Sequence, residues 1–225
     1  MGWNFFYFIF NDTFFDIKDI HISGYHYLNE DMILSQGNFE QYKNIFNFNK
    51  KAVKTTLLDH PWIKDAAIKK LYPDQLKITI VERKPEIILN HLDHFYLVSE
   101  DGIVLSRLNE IDKDFDLFLV SGLKEDFQLQ GDRINSAEYN AVREIIYALE
   151  NIFPDQFYKI KVVDAEEFLL FHKKEQIKVR IRGAEQLINE WYLLEKAMQR
   201  IITENIVLEE INMKYKERLS IILKN

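Results

Sequence analysis

With 225 residues, 47% of them hydrophobic, the chain can bury one sizeable core or two small ones. A formal net charge of −7 argues against a protein that lives by covering phosphates, which needs concentrated lysine and arginine. The absence of cysteine removes disulfides, thiolate catalysis and cysteine-ligated zinc, and seven glycines with four prolines leave no flexible linker, so any two domains must abut.

Met1 to Phe10, MGWNFFYFIF, is apolar but stops at Asn11-Asp12, about half of the roughly 20 residues that a membrane span requires. It has neither the basic front nor the small-residue cleavage site of a signal peptide. It reads as the outer end of a membrane helix in a chain that starts late, or as an apolar strand packed on the domain that follows. Phe14 to Gly24 then reads as one strand, with Ile20 and Ile22 on the same face and a glycine turn at its end. Asn29, followed by Glu30 and Asp31, opens a short helix, because the amide oxygen accepts a backbone N–H and the acids suit the positive helix end. A second helix is expected from Asn49 to Asp59, with Val53, Leu57 and Leu58 at helical spacing. Pro61 ends it by pushing His60 out of helical conformation, which leaves His60 near the negative pole.

Two strands follow. Ile63 to Leu71 alternates poorly, since Ala66, Ala67 and Ile68 run together, and this suits a strand lying flat under packed helices. Tyr72-Pro73-Asp74 supplies turn chemistry. In Gln75 to Val81 the alternation is clean, with Leu76, Ile78 and Ile80 on one face and Lys77 and Thr79 on the other. The order so far is strand, helix, helix, strand, strand.

The same stretch carries three linked motifs: P-W-I-x-x-A, Y-P-D-x-L-x-I-x-I and E-R-x-P. They fall on Pro61, Trp62, Ile63, Ala66, Pro73, Asp74, Leu76, Val81, Glu82, Arg83 and Pro85. Together they resemble the POTRA domain of the FtsQ/DivIB family, the single-pass division proteins of the bacterial envelope. In that family a short cytoplasmic tail and one transmembrane helix precede the POTRA domain. The resemblance therefore implies three parts: residues 1–13 as the outer end or remnant of a membrane anchor, 14–85 as the POTRA domain, and 86–225 as an FtsQ-type β domain.

After Pro85 strands dominate. Ile87 to Leu89, Phe95 to Val98 and Ile103 to Leu105 surround Asp101-Gly102, a strong hairpin signal, and Leu117 to Gly122 forms another strand. Asn135 with Glu138 gives a capping-box start to a helix through Asn151, whose buried stripe is Val142, Ile145, Ile146 and Leu149. Phe157 to Val163, Phe168 to Phe171 and Ile177 to Arg182 are three more strands, broken by Gly183. The longest helix, Ala184 to Glu204, places Leu187, Trp191, Leu194, Met198 and Ile201 on its apolar face. The fold class is thus α+β: a β-α-α-β-β POTRA domain, then a mostly antiparallel β domain with two longer helices.

Val207 to Leu223 closes the chain as a hairpin turning at Lys216-Glu217. Ile211-Asn212-Met213-Lys214-Tyr215 resembles the I-D-L-R-Y signature near the end of the FtsQ β domain, with conservative departures at Asn212, Met213 and Lys214. A strand this near the chain end tends to lie at a sheet edge, where unpaired N–H and C=O groups can be completed by another chain.

Enzymatic signatures are missing: there is no G-x-S-x-G, no G-K-[ST] and no G-x-G-x-x-G. His91-Leu92-Asp93-His94 reads as a polar loop between strands rather than a metal site, and no cofactor is expected. Glu82 and Arg83, adjacent on a strand, point to opposite faces and suit separate structural contacts. Glu209-Glu210 reads as a solvated strand position.

The resemblance implies a non-enzymatic scaffold of the divisome, held at the cytoplasmic (inner) membrane by one helix, with most of the chain on the outer, periplasmic side. It further implies binding of an FtsB/FtsL-type (DivIC/FtsL) coiled-coil pair through the C-terminal edge, at Tyr215, Leu219, Ser220, Ile221, Ile222 and Leu223. Pro61, Trp62, Pro73, Asp74, Glu82, Arg83 and Pro85 are the structural motif residues. The alternative is a POTRA-containing, chaperone-like module of outer-membrane protein assembly, which would need further POTRA repeats or a β-barrel.

Overall fold

A computed structural model describes residues 13–108, 115–124, 130–173, 177–204, 206–215 and 217–223. The apolar run Met1 to Phe10 and Lys216 of the terminal turn lie outside these residues. The chain forms two compact units, divided between Lys84 and Pro85.

The first unit contains β1 (Asp19–Ser23), α1 (Glu30–Gly37), α2 (Lys50–Leu58), β2 (Ile63–Leu71) and β3 (Gln75–Glu82). Its sheet order is β1-β3-β2, with β1 parallel and β2 antiparallel to the central β3. Both helices open as their sequences predict: the Asn29 side chain accepts the Met32 N–H, and that of Asn49 accepts from Lys51 and Ala52. Leu76, Ile78 and Ile80 of β3 are almost wholly buried together with Ile33, Val53, Leu57 and Ala66.

Three expectations change here. The strand read from Phe14 to Gly24 starts only at Asp19, because Thr13–Phe15 forms a short 3-10 turn. That turn is tied to a distant segment, with the Ile45 N–H donating to the Phe15 carbonyl and the Ile17 N–H to that of Lys43. Leu58 does not join the buried stripe, and is 37% exposed at the last turn of α2. β2 has a register shift between Ile63 and Asp65 and is an edge strand on which α2 packs, but residues alternate in exposure from Ala66 on, so only one of its faces is covered.

The second unit is built on a nine-stranded sheet. Its strands are β4 (Pro85–His91), β5 (His94–Ser99), β6 (Val104–Arg107), β7 (Phe118–Ser121), β8 (Phe157–Asp164), β9 (Glu167–His172), β10 (Lys178–Ile181), β11 (Leu208–Asn212) and β12 (Ser220–Leu223). The order across the sheet is β12-β11-β10-β9-β8-β7-β4-β5-β6, with five antiparallel and three parallel pairings. Two helices, α3 (Ala137–Ile152) and α4 (Ala184–Glu204), pack on one face. They bury Val142, Ile145, Ile146, Leu149, Leu187, Leu194, Met198 and Ile201 against Ile160, Leu170, Val179 and Ile211. The architecture is α+β, and the second sheet is mostly antiparallel.

The cap of α3 is Ser136 rather than Asn135: its hydroxyl accepts the Tyr139 N–H, one residue later than the sequence reading. Trp191 is 40% exposed, so it lies off the buried face of α4, while the neighbouring Glu190 is buried. The His91–His94 segment is a two-residue hairpin turn with Leu92 and Asp93 both at positive φ, and Arg107 donates to His94 Nδ1 at 2.8 Å.

Candidate partner-binding site

The last two strands decide what the second unit can offer to another chain. β11 pairs in parallel with β10, and β12 folds back antiparallel on β11 with Ile211 opposite Ile221 and Asn212 opposite Ser220. β12 stands at one end of the sheet order, so among the described residues one of its sides is the rim of the sheet. All four of its residues are exposed: Ile221 at 41%, Ile222 at 47% and Leu223 at 62%, with Ser220 beside them. Tyr215, in the turn between the strands, is 66% exposed. Leu219 differs from these, being partly buried against the core.

A rim of this kind is useful only if something holds it still. Met213 is fully buried, and its N–H donates to the Arg180 carbonyl at 2.9 Å, extending the β10–β11 pairing past Asn212. Asn212 Oδ1 accepts the Lys214 N–H at 2.9 Å and starts the turn. From α4, Gln186 donates to the Met213 carbonyl, and the buried Glu190 accepts the Glu217 N–H at 3.0 Å.

Beneath the hairpin lies an ion network that the sequence reading missed. Glu210, expected to be solvated, is 7% exposed and receives two bonds from Arg180, at 2.5 and 2.8 Å. Arg180 also pairs with Glu167, which in turn pairs with Lys214. The Lys214 ammonium, followed by the Arg180 guanidinium, holds the Glu167 carboxyl below the usual carboxylate range. Glu210 raises the pKa of Arg180 further, so this cation is permanent. No local spacing betrays the network, because its members come from β9, β10, β11 and the turn after β11, joined across the sheet by one antiparallel and one parallel pairing.

The motif residues lie in the first unit, apart from Pro85, the first residue of β4. Arg83 Nη1 donates to the carbonyls of Pro61 and Ile63, at 2.7 and 2.6 Å, and closes the end of β2. Glu82 accepts three successive backbone N–H groups, from His26, Tyr27 and Leu28, at 2.8 to 2.9 Å. Trp62 is buried with its ring 4.9 Å from that of Tyr27. Asp74 pairs with Lys18 at 2.9 Å, and the Tyr72-Pro73 peptide is cis. His60 Nδ1 accepts the Trp62 N–H at 3.3 Å, and burial lowers the pKa of this histidine.

Among the described residues, no group of three histidine, aspartate or glutamate side chains is placed to hold a metal ion, and no helix is long and apolar enough to cross a membrane.

A two-helix, three-strand unit with a parallel β1–β3 pair, followed by an open-edged β unit, defines a POTRA-containing protein of α+β class. A family model described as "POTRA domain, FtsQ-type" matches residues 15–83. The cell division protein DivIB of Clostridium tetani is 24% identical over 205 residues, covering 90% of this chain and 74% of that protein. The cell division protein FtsQ of Syntrophotalea carbinolica is 26% identical over 142 residues, 63% of this chain and 50% of that one. FtsQ of Bradyrhizobium diazoefficiens is 34% identical over 95 residues, 42% of this chain and 28% of its own length. The chain thus spans about three quarters of the first relative and half or less of the other two. Residues 15–83 match the FtsQ-type POTRA domain, and the chain is similar to FtsQ and DivIB cell division proteins.

Proposed function

We propose that this protein is a non-enzymatic scaffold of bacterial cell division that captures a partner chain on the open backbone rim of β12. In this reading residues 14–85 are the POTRA domain and 86–225 the β domain. The protein is held at the cytoplasmic membrane by a single helix to which residues 1–13 belong, with its bulk on the outer side. The partner is a DivIC/FtsL-type (FtsB/FtsL-type) coiled-coil pair, contributing a short strand that lies beside Ser220 to Leu223.

One observation carries the proposal: a terminal strand whose side chains are exposed on both faces, held on an ordered and ion-paired hairpin base. An added strand would gain main-chain hydrogen bonds from the rim, while Ile221 on one face and Ile222 on the other select its alternate side chains. Tyr215 lies in the turn that leads into this strand and extends the apolar contact. The names of the relatives agree with the process.

The test is a proline scan. Ser220→Pro, Ile221→Pro and Ile222→Pro are each compared in a pull-down with the purified DivIC/FtsL-type pair from the same source. Backbone N–H groups alternate in direction along a strand, so proline at the rim-facing positions abolishes capture with the circular dichroism spectrum unchanged. Undiminished retention of the pair by all three folded variants would falsify the proposal.

A further inference from the structure

We propose that the face shared by α3 and α4 is a second docking surface, shaped for a basic amphipathic helix of a partner protein. It uses side chains rather than backbone, and it stands independently of the β12 reading.

A groove of about 830 Å³ runs between the two helices, lined by Tyr147 from α3 and Ile188 from α4. Tyr147 is 71% and Ile188 51% exposed. Helical spacing continues the stripe from Ile188 to Trp191 and Tyr192, which are 40% and 49% exposed. A monomeric surface normally scatters such residues singly, and tyrosine and tryptophan are the side chains that carry most binding energy at interfaces.

The charges around the stripe select the occupant. Glu144, Glu150 and Glu185 line the groove, and Glu195 follows one turn after Trp191 and Tyr192. None of these four carboxylates has a hydrogen bond or ion pair to its side chain among the described residues. Among the described residues that line the groove, the one cation is Arg143, which is already engaged by Glu86 at 2.9 Å. Exposed Lys196 beside Glu195 is the exception to an otherwise acidic surface, which disfavours a second copy of itself and an anionic membrane and favours lysine and arginine. A groove between two helices accepts a third, through apolar anchors at i, i+3 or i+4, and i+7.

The probe is a fluorescein-labelled synthetic helix of about four turns, with leucines at those anchors and lysine and arginine flanks. It is titrated into the full chain by fluorescence anisotropy beside a control with the same leucines and glutamate flanks. The basic helix binds saturably and the acidic one does not. Affinity falls about tenfold or more in Tyr147→Ser/Ile188→Ser and in Glu144→Lys/Glu185→Lys, and falls again with added salt. All four positions are exposed, so both double variants keep the wild-type unfolding midpoint. Ile222→Pro leaves probe binding unchanged, which separates this surface from the β12 rim.

Absence of saturable binding, equal binding of both probes, or indifference to both double variants overturns the proposal. So does a dimer in sedimentation that Tyr147→Ser/Ile188→Ser dissolves, or binding to phosphatidylglycerol vesicles lost in that variant, since either names another occupant.

Discussion

Glu82 does its work with both carboxylate oxygens, Oε2 accepting from His26 and Tyr27 and Oε1 from Leu28. It fixes the loop between β1 and α1 to the end of β3, more than fifty residues away. Glu82→Ala strands three N–H groups and lowers the stability of the first unit by about 1–3 kcal/mol. Urea unfolding measures this, and Glu82→Gln, which keeps two acceptor sites on one oxygen, falls between the wild type and alanine. Gly24, at the other end of that loop, has φ +87°, and a Cβ there would meet the Ile80 carbonyl oxygen at 2.2 Å. The neighbour is central-strand backbone that cannot turn aside. Gly24→Ala is therefore more damaging than the roughly 1 kcal/mol typical of a left-handed residue alone, and its urea midpoint falls below that of Glu82→Ala. The sequence disclosed the identities of these residues but not their tasks. Glu82 and Arg83 read as separate contacts because neighbours on a strand face opposite ways, and nothing in the spacing named the partners across the chain.

Among the elements, the β11–β12 hairpin depends on ionised Glu167. Its folded-state pKa is depressed by Lys214 and then Arg180, so the ionised form favours the folded state. That contribution is complete above the ordinary carboxylate range and is lost as pH falls through the depressed value. Between about pH 5 and pH 3, the wild type loses more unfolding free energy than Glu167→Gln. Hydrogen exchange of the β11 and β12 amides shows the loss first at the hairpin. On α4 the sequence period placed Trp191 inward, because its spacing from Leu187 and Leu194 is helical. The structure instead buries Glu190, since the turn before β12 brings the Glu217 N–H within 3.0 Å of its carboxylate. Helical period defines a face to within one residue, and a tertiary hydrogen-bond donor settled which residue faced inward.

Across the whole molecule, each unit closes a core of its own: α1 and α2 over three strands, α3 and α4 over nine. Leu57→Ala and Ile160→Ala remove side chains that are wholly buried in the first and second units respectively. Each is expected to cost about 2–5 kcal/mol. In urea followed by the fluorescence of Trp62 in a Trp3→Phe/Trp191→Phe background, where it reports on the first unit, Leu57→Ala shifts the transition by the full amount and Ile160→Ala by less. Equal shifts would mean that the two units unfold as one.

Local chemistry was sufficient for the first unit. Proline endings, asparagine caps, a clean two-residue alternation in β3 and the E-R-x-P ending all act within a few residues, and they specify its elements and their order. What lies between distant segments was decided only by tertiary structure. The parallel pairing of β10 with β11 across α4 joins residues some thirty positions apart; with the antiparallel β9–β10 pairing it assembles Arg180, Glu210, Glu167 and Lys214 and leaves β12 at the rim. Exposure of Trp191 beside Tyr192 and Ile188, with unpaired glutamates around them, likewise follows from how α4 is rolled against the sheet. Such contacts have no period, because they depend on which surfaces meet and not on the steps along one chain.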